Sequence, residues 1–472
     1  MQAIGRARAL RCSLVCVGAL RSPLFARLWR RGSRMVRSTR TAGKLAAALQ
    51  AKNGTDSEYW SYKRMAQRSG LHGIIRYPAM MVPRMQADVL DAVASTHPGL
   101  TRVLDPFVGS GTTLVEAVRR GMSFEGYDIN PLAILICRAK LLSLSPSAVQ
   151  RKTEALVARL ESDRSQTISV DFPGRDKWFT HKTCVGLSRL RRAIADESNM
   201  RLRQFFWVVF SETIRQTSLS RESTYKLHIR PKNEAVLLGE PVDCFKELAS
   251  NACTRYYHHS AERGTQQRRS GKTQLRCLDI RKIKASVHSP AQLLLTSPPY
   301  GDNQSTIPYG QFSYLALSWI PNADLEGNFS FRDSAYAIDT ASLGGSTRNY
   351  MERAALMAAV LPSFKQFFDK LCVQRRSDLE AKAASFTADF FDAVGASLGR
   401  LEQGGIAAWT LGDRCIGGIR VPLVDICREI NQFFDMSPIV EIPRQIHSKR
   451  MPHRTAMGAT MAKETLLVMT KI

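Results

Sequence analysis

Arg, Lys, Asp or Glu interrupts every apolar stretch of the chain, whereas a membrane-spanning helix needs about 20 consecutive apolar residues. A spanning protein is therefore excluded. Ten cysteines occur without a Cys-x-x-Cys pair or a Cys/His cluster at zinc spacing, so no metal site or disulfide framework organises the chain. They read as reduced, mostly buried thiols of a cytoplasmic, bacterial-type protein. The nine histidines are equally dispersed, and His258-His259 reads as a surface pair. Internal repeats and long low-complexity tracts are absent too. Acidic residues are missing from the front: twelve Lys or Arg precede the first carboxylate, Asp56. Residues 1–40, with the apolar patch Leu14-Val15-Cys16-Val17, form a basic tail that resembles a presequence. A start assigned too far upstream, with Met35 as the true one, is the favoured explanation.

What the chain does have is length and positive charge. Its 472 residues exceed the usual single core, so we expect one catalytic domain with large insertions, or two domains. Beyond the basic front, 55 basic residues still face 41 acidic ones, which favours a polyanionic partner, nucleic acid first. A merely solvated basic surface is the plain alternative.

The first motif is Asp105-Pro106-Phe107-Val108-Gly109-Ser110-Gly111-Thr112-Thr113. A strand over Arg102–Asp105 feeds a glycine-rich turn, a helix from about Thr112 to Arg120 that Gly121 ends, and a second strand over Phe124–Asp128. This is a unit of a parallel α/β sheet. Glycines at 109 and 111 let the backbone approach a ligand where a β-carbon would clash. A dinucleotide site would want a third glycine near Leu114, and a P-loop a Gly-Lys-Ser/Thr; neither is present. Asp128, at the end of the second strand, can accept hydrogen bonds from both ribose hydroxyls of an adenosyl group, which points to S-adenosylmethionine. A cap or turn role before Asn130-Pro131 is its alternative. Asp279, after Leu275-Arg276-Cys277-Leu278 at the end of the strand expected over Leu275–Ile280, can reach an adenine amino group or serve as a turn residue.

The second motif, Ser297-Pro298-Pro299-Tyr300, ends the apolar strand Leu293–Thr296. A nucleobase amino group is a poor nucleophile, because its lone pair is delocalised into the ring. Ser297 and the carbonyl of Pro298 can accept its two N–H bonds and localise that pair. Two prolines fix the backbone and offer no competing donors, while Tyr300 offers a face on which a flipped base can stack. Catalysis would rest on positioning and electrostatics in an in-line methyl transfer, with no covalent enzyme intermediate.

Together these motifs resemble the amino-methyltransferases that modify DNA at cytosine N4 or adenine N6, of restriction-modification style. The resemblance extends to Gly301-Asp302-Asn303, to Tyr77–Pro83, whose Tyr77 and Pro78 would close over the methionine end of the cofactor, to Leu411-Gly412-Asp413-Arg414 and to Lys449-Arg450-Met451-Pro452. It implies a Rossmann-like methyltransferase sheet with helices on both faces, S-adenosylmethionine as cofactor and duplex DNA as partner, with a companion restriction endonuclease possible. Cofactor contacts would come from Tyr77, Pro78, Asp105, Pro106, Phe107, Gly109, Ser110, Gly111, Thr112, Asp128, Asn130 and Asp279. Catalytic contacts would come from Ser297, Pro298, Pro299 and Tyr300. Serine at the first position of the second motif favours cytosine N4 over adenine N6. An RNA guanine-N2 methyltransferase and a non-catalytic DNA-binding relative remain as rivals.

Four regions follow: the tail at 1–40, a cofactor-binding half at 41–150, a helical and basic insertion at 151–275, and a catalytic half at 276–472 with a helical insertion at 321–400. The 151–275 insertion, with helical patterns at Val185–Ile194 and Leu202–Ile214, is the candidate for target recognition, and 321–400, with apolar clusters at Met357–Phe367 and Phe386–Leu398, is its rival. The stretch from Arg263 to Arg276, with Arg268, Arg269 and Lys272, reads as a solvated linker or a DNA-facing loop. A turn at Gly404-Gly405 should lead into a strand at Ile406–Leu411, and Glu464–Lys471 should form an edge strand.

Overall fold

A computed structural model describes residues 40–54, 58–63, 69–231, 239–263, 271–283, 289–302, 306–327, 333–446, 454–455, 458–459 and 463–472. The tail at 1–39, Arg268, Arg269, Asn303 and Lys449-Arg450-Met451-Pro452 lie outside the described residues.

Seven strands form one sheet: β1 (Arg102–Asp105), β2 (Ser123–Asp128), β3 (Thr273–Cys277), β4 (Ala291–Thr296), β5 (Leu401–Gly412), β6 (Met436–Gln445) and β7 (Lys463–Lys471). Their order is β3-β2-β1-β4-β5-β7-β6. The first five run parallel, with Val103 opposite both Phe124 and Leu293, while β7 is antiparallel to β5 and β6. This is a Rossmann-like methyltransferase sheet.

Both faces are buried, and strand periodicity sorts the side chains between them. Val103, Leu293, Leu295, Ile406, Ala408, Leu466 and Val468 point to the layer made by α1 (Arg40–Ala51), α2 (Pro83–Thr96), α3 (Thr112–Arg119) and one side of α4 (Pro131–Lys140). Their neighbours Leu104, Leu294, Ala407, Trp409, Leu467 and Met469 point the other way. There they meet helices that follow in the chain, α10 (Tyr350–Val360), α11 (Pro362–Cys372), α12 (Ser377–Leu398) and α13 (Leu423–Phe433). Residues 350–398 thus supply a layer of the sheet.

A third core gathers α5 (Pro146–Ser162), α6 (His181–Ala195), α7 (Met200–Thr217), α8 (Pro241–Arg263) and α9 (Tyr309–Trp319) around the far side of α4. Helix α4 reads Pro-Leu-Ala-Ile-Leu-Ile-Cys, apolar on all sides, and belongs to two cores at once: Ile134 and Cys137 face the sheet, Leu132, Leu135 and Ile136 the helical module.

Several expectations change. The strand expected at Leu275–Ile280 ends at Cys277, because the Asp279 side chain accepts the Arg281 N–H and starts a single turn at Ile280–Lys282. Gly404-Gly405 lies inside β5 as a bulge: the register steps from Ala291 opposite Leu401 to Leu293 opposite Ile406, and Gly404 takes φ +76°. The apolar cluster at 357–367 is split by Pro362 into α10 and α11. His259 is buried and only His258 is exposed. β7 is no edge strand; it is inserted between β5 and β6. The rim belongs to β6, which sequence reasoning missed because Pro438 and Pro443 interrupt it; prolines are tolerated in rim strands.

Candidate active site

The parallel strands end on one side of the sheet, and there the loops after β1, β2, β3 and β4 surround an open pocket of about 880 Å³, counted with its mouth. Parallel sheets bind ligands at such carboxyl ends.

The donor side is built from short-range contacts. Gly109 and Gly111 adopt φ +49° and +78°, and a β-carbon on Gly111 would come within 2.8 Å of the Cys137 sulfur. Asp128 takes the Gly109 N–H at 2.9 Å on one carboxylate oxygen and the Asn130 N–H at 2.9 Å on the other, which fixes both oxygens at the pocket wall. Burial pushes its carboxyl up to about 6. Below the loop, Lys140 is buried and donates to the Ser110 carbonyl at 2.6 Å, with burial lowering its ammonium to about 8.

Of the expected donor residues, Pro106, Phe107, Gly109, Ser110, Thr112 and Asp128 line the pocket. Tyr77, Pro78 and Asp279 complete it from other loops. Asn130 reaches the lining with its polar atoms turned inward: Oδ1 caps α4 at the Leu132 N–H, and Nδ2 donates to the Tyr77 hydroxyl at 3.2 Å and to Ser313 at 2.7 Å. Asp105 and Gly111 do not touch the pocket. Asp105 is instead a fully buried clasp, accepting the Phe107 N–H at 3.1 Å and the Thr296 hydroxyl at 2.6 Å on Oδ1. Desolvation raises its carboxyl to about 6.

The acceptor side hangs from β4. Ser297 and Pro299 line the same pocket; Pro298 and Tyr300 are not part of its lining. The Tyr300 ring packs against the core of α10–α13, and its hydroxyl lies 3.0 Å from Ser297 Oγ and donates to Glu464 on β7 at 3.2 Å. Burial holds that phenol far above its ordinary range. Gly301 is pressed under Arg414, since a β-carbon there would overlap the guanidinium, and Arg414 pairs with the buried Asp302 at 3.4 Å. The tight two-residue turn Gly417-Gly418, both at positive φ, folds the chain back just past Arg414.

Sequence reasoning missed several contributors. Tyr309, Arg281 and residues 338, 341, 342 and 343 line the pocket, while Lys140, Arg444 and Glu464 lie behind its loops. Lys140 is the last residue of α4 and Glu464 the second of β7, places where a charged residue is ordinary. No group of three or more His, Cys, Asp or Glu side chains that could hold a metal ion occurs among the described residues, nor any helix long and apolar enough to cross a membrane.

The pocket fits S-adenosylmethionine: a glycine loop at positive φ, a paired-oxygen acceptor in Asp128, and a second carboxylate in the lining, Asp279, held by the Arg281 guanidinium. With the acceptor motif opening into the same space, fold and site resemble those of a methyltransferase domain. The chain resembles the S-adenosylmethionine-dependent DNA amino-methyltransferases. No family model matches it. It is 26% identical over 443 residues to the Type II methyltransferase M.MvaI of Kocuria varians, covering 89% of this chain and 95% of that relative. A shorter match, 35% identical over 72 residues, is to the Type II methyltransferase M.MjaII of Methanocaldococcus jannaschii and covers 15% of this chain and 13% of that one.

Proposed function

We propose that this protein is a site-specific DNA methyltransferase that moves a methyl group from S-adenosylmethionine to the exocyclic N4 of cytosine in duplex DNA after the base is flipped out. The observation that carries the reading is the shared pocket: Ser297 and Pro299 line it together with Asp128 and Gly109. A base amino group held there lies beside the donor site. When bound, S-adenosylmethionine supplies an electrophilic methyl on a sulfonium.

The residues divide the work. Gly109, Ser110 and Thr112 would hold the donor by backbone and hydroxyl contacts, Asp128 would accept from the ribose hydroxyls, and Asp279 from the adenine amino group. Ser297 Oγ and the Pro298 carbonyl would accept the two N–H bonds of the target amino group and aim its lone pair. Tyr300 would reach a flipped base only with the ring face its core contacts leave free. Ser297 is neutral and favours cytosine N4. The helical module at 151–275 is the proposed target-recognition region, and a companion restriction endonuclease fits the Type II names of the relatives.

Purified protein, duplex DNA and methyl-labelled cofactor, followed by digestion to nucleosides and mass spectrometry, test the reading. N4-methylcytosine is the expected product. N6-methyladenine transfers the reading to the adenine class, and label appearing only in tRNA or rRNA overturns it.

A further inference from the structure

We propose that Glu464 is a positioning residue for methyl transfer: through Tyr300 it sets the direction of the hydrogen bonds at Ser297 and takes up the proton that the target amino group sheds. This rests on the amino-methyltransferase reading above.

The geometry is a three-link chain. Ser297 Oγ lies 3.0 Å from Tyr300 Oη, Tyr300 donates to Glu464 Oε1 at 3.2 Å, and Arg444 Nε sits 3.3 Å from Glu464 Oε2. An ionised carboxylate only accepts, so it claims the single proton of Tyr300. The phenol oxygen must then accept from Ser297, which claims the serine proton in turn. What remains at Ser297 Oγ is lone-pair density, on a residue that lines the pocket. A hydroxyl that could donate or accept is thereby made an acceptor, which is what an amino N–H requires. In a chain without the carboxylate the same hydroxyls could run the opposite way and present Ser297 as a donor to a group that has no use for one.

The carboxylate is also suited to receive a proton. Burial raises its affinity for one, against the pull of Arg444 and the Tyr300 hydrogen bond. Arg444 comes from β6 and Tyr300 from the loop after β4; beyond Arg444 lies Tyr62, which donates to Asp88 at 2.9 Å. As the amino nitrogen bonds to the methyl carbon, the carbon–sulfur bond breaks with its electron pair going to sulfur, and the nitrogen must lose one proton. That proton passes to Ser297 Oγ, the serine proton to Tyr300 Oη, and the tyrosine proton to Glu464, which ends neutral. Water entering after product release returns the carboxylate to its ionised form.

The test is single-turnover methyl transfer at saturating cofactor and DNA, over the acid range of pH, for wild type, Glu464→Gln, Tyr300→Phe and the double variant. We expect each single variant to slow transfer roughly tenfold or more with cofactor affinity unchanged, the double variant to be no slower than either, and the fall in rate at low pH to be lost with Glu464→Gln. An unchanged rate and pH profile in Glu464→Gln, or penalties that multiply in the double variant, would overturn the proposal. Carbon-13 NMR of the glutamate carboxyls in cofactor-free protein gives a readout independent of turnover: Tyr300→Phe should raise the Glu464 midpoint, and an unmoved midpoint breaks the chain. Should Glu464→Gln fail to fold in a thermal melt, Tyr300→Phe carries the comparison. A wild-type protein that methylates no base amino group defeats the functional reading, and the NMR titration still decides the link.

Discussion

The two sides of the pocket are held in place by different means. On the donor side the decisive contacts are local: Asp128 grips a backbone N–H 19 positions away, and the glycines set the curve of their own loop. On the acceptor side they come from afar, Arg414 reaching Asp302 across 112 positions and Glu464 reaching Tyr300 across 164. A binding cradle needs backbone shape, which neighbouring residues can dictate. A reacting group needs its protons and lone pairs aimed, and that takes side chains from other strands.

Variants can separate the two sides. The largest effect is expected from Ser297→Ala, which removes the proposed acceptor for the target amino group while leaving the glycine loop untouched: transfer should fall roughly 10²–10³-fold, with cofactor affinity by calorimetry unchanged. If cofactor binding falls as far as turnover, the two sides are not separate. Gly111→Ala attacks only the donor side, since its β-carbon meets Cys137 at 2.8 Å and its φ is +78°. It should cost about 1–3 kcal/mol, visible as weaker cofactor binding and a lower melting temperature.

A third, smaller effect depends on pH. The Asp128 carboxyl titrates near 6, and only its ionised form can accept both ribose hydroxyls. Cofactor affinity should therefore be flat above that value and fall by up to about tenfold per pH unit below it, and Asp128→Asn should abolish the slope. A flat wild-type profile measured by fluorescence quenching removes Asp128 from the ribose role.

A fourth effect, on stability and not on transfer, tests the clasp between the sides. The Asp105 carboxyl is raised to about 6 from an ordinary 3.8, so the folded state binds its proton more tightly than the unfolded state. The fold is favoured at low pH, and that advantage is lost as pH rises through this window. Asp105→Asn removes an ionisation cost of order 2–3 kcal/mol at neutral pH and should melt a few degrees higher there, with the difference vanishing in acid, although the link to Thr296 weakens. A lower melting temperature at neutral pH would show that the hydrogen bonds of Asp105 outweigh its desolvation.

The same contrast decides what the sequence made legible. β1, α3, β2 and the glycine curve could be read because their causes sit within some 25 residues: strand periodicity, a glycine pair and a strand-end carboxylate. Ser297-Pro298-Pro299-Tyr300 was equally plain as a motif. Its supports were not, because nothing in Lys463-Glu464-Thr465 distinguishes a carboxylate that will be buried against a phenol from one that will face water. Asp105 was read as a ligand contact, whereas the structure turns it towards Thr296 beneath the pocket; a strand-end position fixes a residue's height in the sheet but not its neighbour. The placement of β7 was misjudged for a related reason: an alternating strand near the end of a sequence resembles a rim strand, and only pairing with β5 and β6 reveals that it fills a gap.

That gap has a consequence in time. Among the described strands, the ribosome delivers β7 last, after both of the strands it must separate. A nascent chain therefore carries β5 and β6 before the strand that joins them, and until then their facing edges are unpaired. Glu464 arrives with that strand, so the carboxylate that meets the Tyr300 hydroxyl joins the chain only after the glycine loop, Asp128 and Ser297.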